Sequence, residues 1–495
     1  MSNLSYKMII FGGTGDLTKR KLIPAIHELG KGKYLPKEFK VIGIGRRGIN
    51  QEEYSNMLYK GITEYTNIET NPKLWNEISK KIYYLKMDFT KPSEYKRLYE
   101  YLLEDNKKEK ISSNLMFYLA VSPEYFGGIV NNLKENNIID EDNQWNRMVI
   151  EKPFGKNFKS AKKLNNEISK VFKENQIFRI DHYLGKEMIQ NITMLRFENS
   201  IFEPIWNNKH IENIQIIVSE KQGIGLRGEY YDNTGALKDM IQSHLLQILA
   251  VTTMEYPKNF HMNSIRNAKA KLLEDLVFYT DDNNKENIIF GQYEGYNDEE
   301  RISQHSNRET FVAMKVFIKN KRWQGVPIYL MTGKKLKEKL AQVNIEFKRP
   351  QNTMYDNSEI NSLEINKTPK NNVLEIMIQP KEGIGLRINI KKPTVMDEME
   401  VAEMEYCRTC LSGLNTPDAY VKLLLDVIEG DSTRFTRWDE LSNSWKFIDS
   451  INEDLIKVHK YKPRGLGPEK AYEMISEDNR KWWFLNKWGE HNENI

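Results

Sequence analysis

The chain has 495 residues, 39% of them hydrophobic, and a mean hydropathy of −0.65; its apolar runs, such as Leu245 to Val251, fall far short of the roughly 20 residues that cross a bilayer. The net charge of +4 is carried by lysines scattered among acids rather than gathered in one segment, with no nucleic-acid motif, which suits a small anionic substrate; no nucleic-acid or membrane partner is expected. This length implies two or more domains, and Met1 to Lys7 show no basic stretch followed by an apolar core, so a cytoplasmic protein is expected.

Six apolar runs punctuate the first 180 residues: Met8 to Phe11, Val41 to Ile44, Ile82 to Met87, Leu115 to Val121, Arg147 to Ile150 and Ile177 to Ile180. Each is of strand length and rich in Ile, Val, Tyr or Phe. Amphipathic segments such as Lys19 to Gly30 and Ser160 to Asn175 lie between them, an alternation that predicts an α/β, doubly wound parallel sheet with helices on both faces. The residues directly after each run carry the chemistry. Gly12-Gly13-Thr14-Gly15-Asp16 comes after the first and Gly45-Arg46-Arg47 after the second; Asp88, Ser122-Pro123, Glu151-Lys152-Pro153 and Asp181-His182 come after the others. In an open parallel sheet these positions line the carboxyl edge, where ligands bind.

Gly12, Gly13 and Gly15 allow a tight turn against a pyrophosphate at a helix N-terminus. The match to G-x-G-x-x-G is incomplete, since Thr18 takes the place of the third glycine. After the second run an NAD pocket carries an acid for the ribose hydroxyls; this chain has Arg46 and Arg47, which suit a 2′-phosphate instead. NADP is therefore the expected coenzyme, with NAD as an acceptable substitute, and Arg46 as the main reader. Lys152, in Glu151-Lys152-Pro153-Phe154-Gly155, is either a donor to a sugar hydroxyl or a surface lysine.

In Asp181-His182-Tyr183-Leu184-Gly185-Lys186 a histidine, a tyrosine and a lysine cluster as a phosphate-binding group would. A polar loop at a domain boundary fits the same residues equally well. Beyond residue 181 the pattern changes to strand-like pieces: Ile211 to Ser219, Val312 to Lys319, Val343 to Phe347, Val373 to Gln379 and Gly385 to Ile390. They predict a second, α+β domain with a large, mostly antiparallel sheet and helices on one side, and a boundary near residue 180. His244, within Asp239 to Gln247, lies beside an apolar stripe, where a histidine is more often packed core than catalyst. Asp281 to Glu286 and Asn352 to Asn366 read as surface loops or hairpins, and Lys107-Lys108-Glu109-Lys110 as a solvated helix face. Cys407 and Cys410 form a lone C-x-x-C with no strand-to-helix redox context and no further ligands for a metal; two reduced thiols, and no metal site, are expected.

Taken together, GGTGDLTKRKLIPA, EKPFG, RIDHYLGKE and DMIQSHLLQ, in this order and spacing, resemble the signature blocks of the glucose-6-phosphate 1-dehydrogenase family, and the likeness runs on through GVPIYLMTGKKL and LLLDVIEGDSTRF. The resemblance spans roughly residues 7 to 450. It implies a Rossmann-like NADP-binding domain over residues 1–180 and a substrate-binding and oligomerisation domain over 181–495, joined into homodimers or homotetramers. It implies oxidation of glucose 6-phosphate at carbon 1, the first step of the oxidative pentose phosphate route. His244 would be the base that takes the carbon-1 hydroxyl proton, and Asp181 would orient it, as a carboxylate does in a triad. His182, Tyr183 and Lys186 would hold the phosphate, with Lys339 near it; Glu220, Asp239 and Lys334 would contact the sugar. Gly12, Gly13, Thr14, Gly15, Asp16, Leu17, Arg46, Asp88 and Lys152 would line the coenzyme, Lys152 standing between it and the substrate.

The chain departs from the family pattern at three places. Ser243 stands where an asparagine is common, Ala120-Val121-Ser122-Pro123 replaces a double proline, and Met331 and Leu340 replace basic residues that hold a second NADP in animal members, so that second site is expected to be absent. Two rivals share parts of this pattern. A sugar or inositol dehydrogenase of another family also has Glu-Lys-Pro at the fifth strand but lacks RIDHYLGKE. A non-catalytic nucleotide sensor would have lost its base or carboxylate, whereas Lys152, Asp181 and His244 are all present.

Overall fold

The predicted alternation in the first 180 residues folds as a parallel sheet. Strands β1 (Ser5–Phe11), β2 (Glu38–Gly45), β3 (Ile82–Lys86), β4 (Leu115–Leu119), β5 (Arg147–Ile150) and β6 (Ile177–Ile180) stand in the spatial order β3-β2-β1-β4-β5-β6. Apart from its first residue, β1 is buried along its whole length, as is β2, because helices cover both faces; this is why Met8 to Phe11 and Val41 to Ile44 read as unbroken apolar runs, while the buried Lys7 and Lys40 before them pair with Asp105. The order reverses between β1 and β4, which makes the carboxyl ends of these two strands the switch point where doubly wound sheets bind ligands. The computed structural model describes residues 4–65, 71–109, 114–280, 286–350, 369–393, 399–408, 410 and 418–484. Residues 281–285 and 352–366, expected as loops or hairpins, and the side chains of 107–110 lie outside this description.

Among the described residues the second sheet has nine strands: β7 (Ile211–Ser219), β8 (Ile288–Tyr293), β9 (Phe311–Val316), β10 (Ile328–Gly333), β11 (Leu340–Phe347), β12 (Val373–Gln379), β13 (Gly383–Lys391), β14 (Met399–Cys407) and, after the two-residue β15 (Phe435–Thr436), β16 (Val458–Tyr461). Their order is β14-β13-β12-β11-β7-β10-β9-β8-β16. Only β7 with β10 and β8 with β16 run parallel; the remaining pairs are antiparallel, as expected. Ile217, Tyr293, Phe311, Tyr329, Met331 and Trp482 belong to one buried cluster of this unit. β8, β10, β14 and β16 escape the sequence reading. β14 is mostly exposed and is broken by Glu400, Glu403 and Glu405 without strict alternation, so it shows neither an apolar run nor a regular buried face.

The compact units are not cut by one boundary at residue 180. The first comprises Met1–Lys186, Pro257–Ala268 and Pro417–Asn443, the second Glu187–Tyr256, Lys269–Thr416 and Ser444–Ile495. The physical reason is packing. The helix Ala419–Glu429 buries Leu423, Leu424 and Val427 in the same cluster as Leu22 and Ile26, and β15 pairs with β6. The cysteine expectation also needs correction. Cys407, the last residue of β14, and Cys410 are joined as a disulfide, because their Cα atoms stand 5.3 Å apart, within the span that such a bond bridges.

Candidate functional site

In the first unit, the residues that come after the strands lie along one edge of the sheet, with the glycine turn at the switch point. Gly12 has a left-handed backbone, φ 90°, and a Cβ there would stand 2.3 Å from the Ala120 carbonyl oxygen. At Gly13 a Cβ would lie 2.6 Å from Gly43 Cα, backbone against backbone. Both amides donate to the Ile44 carbonyl, at 3.1 and 2.8 Å, and Gly15 N–H closes the turn on the Gly12 carbonyl at 2.8 Å. Thr18, buried, donates its hydroxyl to that same carbonyl at 3.0 Å. It thus locks the turn where the sequence lacks a third glycine. The close approach that such a glycine serves is made elsewhere: a Cβ on Gly61, in the helix Gln51–Tyr65, would meet the Lys19 carbonyl oxygen at 2.7 Å. Thr14 and Leu17 are half-buried in the turn, and Asp16 is exposed and paired with Arg20 at 2.7 Å.

Arg46 and Arg47 are exposed at the end of β2. Asp88 lies just after β3, where hydrogen bonds from Thr90, aided by the nearby charge of Arg46, hold its carboxyl below the usual range. At the end of β5 the Glu151 carboxylate accepts from Tyr118 at 2.6 Å and Tyr420 at 3.0 Å, and burial pushes its pKa up. Lys152 is the next residue, half-buried. A close-packed glycine turn leading into a helix, with two guanidiniums at the next strand's end, is a donor set that fits a phosphorylated dinucleotide.

The turn after β6 is built by its own backbone. Buried Asp181 accepts from Tyr183 N–H at 2.9 Å, and the Lys186 N–H donates to the Tyr183 carbonyl at 2.9 Å. The His182 and Tyr183 rings lie 4.9 Å apart, and Lys186 Nζ stands 5.4 Å from the centre of the Tyr183 ring. An imidazole, a phenol and an ammonium thus lie side by side in one turn.

In the second unit, Glu220 and Lys334 come directly after two neighbouring parallel strands, β7 and β10, whose last residues Ser219 and Gly333 are register partners. Their side chains form an ion pair, and Lys334 Nζ lies 5.3 Å from the centre of the Tyr231 ring. Asp239 and His244 sit on a π-helix, Leu237–Leu245, inserted between the helices Gly228–Ala236 and Leu246–Thr253. Because a π-helix bonds residue i to residue i+5, these two side chains, five apart, fall on one face; such insertions recur at functional sites. His244 is fully buried, while Asp239 is half-buried and bonded to Tyr230. Ser243 donates back to the Asp239 carbonyl at 2.5 Å, so this departure from the family pattern is absorbed within the helix. Lys339 is exposed just before β11. Met331 and Leu340 are buried core residues of β10 and β11.

Both halves of the chain match family models: "Glucose-6-phosphate dehydrogenase, NAD binding domain" over residues 9–191 and "Glucose-6-phosphate dehydrogenase, C-terminal domain" over residues 193–483. The chain belongs to the glucose-6-phosphate dehydrogenase family. It is 41% identical to glucose-6-phosphate 1-dehydrogenase of Bacillus subtilis (strain 168), over 96% of this chain and 98% of that one. It is 37% identical to the Streptococcus pneumoniae serotype 4 enzyme of the same name, with 97% of each chain covered. Among solved structures, a glucose-6-phosphate dehydrogenase in complex with its substrate glucose 6-phosphate superposes with a TM-score of 0.86 at 31% identity, covering 98% of this chain and 99% of that one. The Mycobacterium avium glucose-6-phosphate 1-dehydrogenase gives 0.84 at 27% identity, covering 99% and 100%.

Three features of the site were not legible in the sequence. The π-helix under His244 has no periodicity signal, because an i+5 segment inside an apolar helix looks like the helix around it. Tyr118 and Tyr420, which hold Glu151, are 302 residues apart by their numbering and meet only because the chain returns to the first unit. Glu309, which caps the π-helix, sits in no recognised block.

Proposed function

We propose that this chain oxidises glucose 6-phosphate at carbon 1 to 6-phosphoglucono-1,5-lactone with reduction of NADP. The observation that carries the reading is the membership of both halves in one dehydrogenase family, with the His182–Tyr183–Lys186 cluster intact in the coenzyme-binding unit. The nicotinamide supplies the hydride acceptor. The chain supplies the rest. The Gly12–Leu17 turn seats the pyrophosphate, Arg46 reads the 2′-phosphate, and Asp88 and Lys152 line the same edge of the sheet. Lys186 and His182 donate to the sugar phosphate with Tyr183, Lys339 adds charge near it, and Glu220, Asp239 and Lys334 take the sugar hydroxyls. His244 accepts the proton of the carbon-1 hydroxyl, and the family resemblance gives Asp181 the part of orienting it.

NADP is preferred and NAD is accepted, because the glycine turn serves both and only the 2′-phosphate distinguishes them. The first unit binds coenzyme, and the second binds the sugar and joins copies into a homodimer or homotetramer in the cytoplasm. No described helix is long and apolar enough to cross a membrane. The test is the initial rate of absorbance rise at the reduced-coenzyme band with glucose 6-phosphate, against glucose and against inositol, each with NADP and with NAD. A rate confined to glucose 6-phosphate and higher with NADP is expected. No rate with any sugar, despite binding of NADP, would leave the sensor reading in place.

A further inference from the structure

The π-helix that carries Asp239 and His244 begins at an abrupt bend. Gly235 has φ 69° and ψ 173°, so the helix Gly228–Ala236 stops there and the chain restarts in a new direction at Leu237. A helix that restarts inside a protein presents N–H groups with no helical partner, and something must accept them. Here one residue from a different element does so. Glu309, next but one before β9, accepts the Leu237 N–H on Oε1 at 3.0 Å, and its own carbonyl accepts the Ala236 N–H at 3.1 Å. Glu309 is 2% exposed. The fit is close: a Cβ on Gly235 would stand 2.0 Å from Glu309 Oε1. The glycine is therefore required twice, for its left-handed backbone and for the space the carboxylate fills.

The same short stretch also reaches the sugar-binding lysine. Thr310 accepts the Lys334 N–H on its carbonyl at 2.9 Å, and Tyr461, 3.0 Å from the Thr310 hydroxyl, donates to the Lys334 carbonyl at 2.7 Å. Adjacent residues thus hold the start of the helix bearing Asp239 and His244 on one side and the backbone of Lys334 on the other. The groups that face the Glu309 carboxylate are Arg308, 3.3 Å away, Glu453, which Arg308 and Lys238 pair at 3.1 and 2.6 Å, and the phenols of Tyr231 and Tyr296. Burying a carboxylate among them costs stability, which sets Glu309 apart from a neutral cap such as Asn or Ser that would close the helix without that cost.

We propose that Glu309 is a positioning residue, which fixes the start of the π-helix and thereby the places of Asp239 and His244 relative to Lys334. This rests on the proposed glucose 6-phosphate reading for its kinetic consequences, but not for its structural ones.

The test uses the full-length enzyme and three variants. Glu309→Ala removes the acceptor and Glu309→Gln keeps an oxygen at the same reach. Gly235→Ala displaces the carboxylate without deleting it. Glu309→Ala and Gly235→Ala are expected to lower kcat/KM for glucose 6-phosphate about 10- to 100-fold, the loss that a misplacement near 1 Å brings, with the KM for NADP unchanged. Glu309→Gln should restore kcat/KM to within about threefold of wild type, since a neutral acceptor still makes the cap. Hydrogen exchange of the amides of residues 237–245 should quicken in the first two variants and not in the third. The proposal is overturned if Glu309→Ala keeps both kcat/KM and the exchange pattern. It is overturned equally if Glu309→Ala and Glu309→Gln lose activity alike, or if the loss follows melting temperature across all three. Should Glu309→Ala not fold, Glu309→Asp, one methylene shorter, takes its place with the same expectations. A wild-type enzyme inactive on glucose 6-phosphate would sink the substrate reading alone, because the exchange experiment needs no turnover.

Discussion

Gly13→Ala should damage the first unit by an amount that the local distances set. The new Cβ would stand 2.6 Å from Gly43 Cα, 2.7 Å from its carbonyl carbon and 2.9 Å from Ile44 N. All three are backbone atoms of β2, which is held on one side by β1 and on the other by β3, so no flexible side chain can yield. Gly13 lies outside the left-handed region, so no backbone strain adds to the clash. Overpacking of this kind costs about 1–3 kcal/mol. Pushing the turn away also weakens the Gly13 N–H bond to Ile44 at 2.8 Å, worth about 1 kcal/mol. The sum is about 2–4 kcal/mol, or a fall of about 4–16 °C in melting temperature for a unit of this size. Gly128→Ala is the internal control. Gly128 is exposed in the helix Phe126–Glu135 with nothing within 4 Å of an added Cβ, so alanine should stabilise by about 0.5–1 kcal/mol. Thermal unfolding followed by fluorescence, with a coenzyme titration of each variant, decides the matter. If Gly13→Ala melted like wild type and bound NADP as tightly, the turn would not be packed as described.

Arg46→Ala should lower kcat/KM for NADP about 10- to 100-fold, the loss of a charge-assisted pair, and leave NAD nearly unchanged; equal losses for both would show that Arg46 supports the common adenosine pocket. His244→Asn should cut kcat by about two to four powers of ten with KM for glucose 6-phosphate little altered, and near-normal turnover would remove it as the base. Lys186→Ala should raise KM for glucose 6-phosphate about 10- to 100-fold while sparing free glucose, which has no phosphate to lose; a matched rise for both sugars would show that Lys186 does not read the phosphate. Burial holds the Glu309 carboxyl at about 7 against an ordinary 4.5. The folded chain thus grips this proton more tightly than the unfolded one, so its contribution to stability is complete below pH 4.5 and is lost as pH rises through 7. Glu309→Gln, locked in the neutral form, should therefore melt above wild type at alkaline pH and alongside it in mild acid; a gap that does not vary with pH would contradict this.

Most of the coenzyme unit was readable from sequence because its parallel strands are buried on both faces and punctuated by ligand-edge residues. β5 and β6 match the predicted runs residue for residue. The second sheet was readable where a strand is buried, as at β7 and β12, and was lost at β14, whose side chains are mostly exposed. Among candidate site residues, those in contiguous blocks such as His182, Tyr183 and Lys186 were nameable from the sequence. Glu309 was not, because its partner at Leu237 is 72 positions away and neither residue carries a local signature. The reduced state expected of Cys407 and Cys410 failed for a similar reason. Spacing alone does not reveal that the two sulfurs meet at the end of an edge strand.

The return of residues 417–443 to the first unit has a consequence for synthesis. A chain leaving the ribosome makes β1 to β6 early, yet the edge of β6 waits for Phe435 and Thr436, and the apolar surface around Leu22 and Ile26 waits for Leu423, Leu424 and Val427. Domains that are contiguous in sequence close as soon as they emerge; this one stays open on one flank while all of β7 to β14 is made. During that interval an unpaired strand edge and an uncovered greasy face are presented together, the pairing that invites aggregation or chaperone capture. A nascent chain stalled before residue 417 would therefore be a substrate for such handling although its dinucleotide turn is already complete, and a fragment cut at residue 180 would carry the same exposed flank permanently.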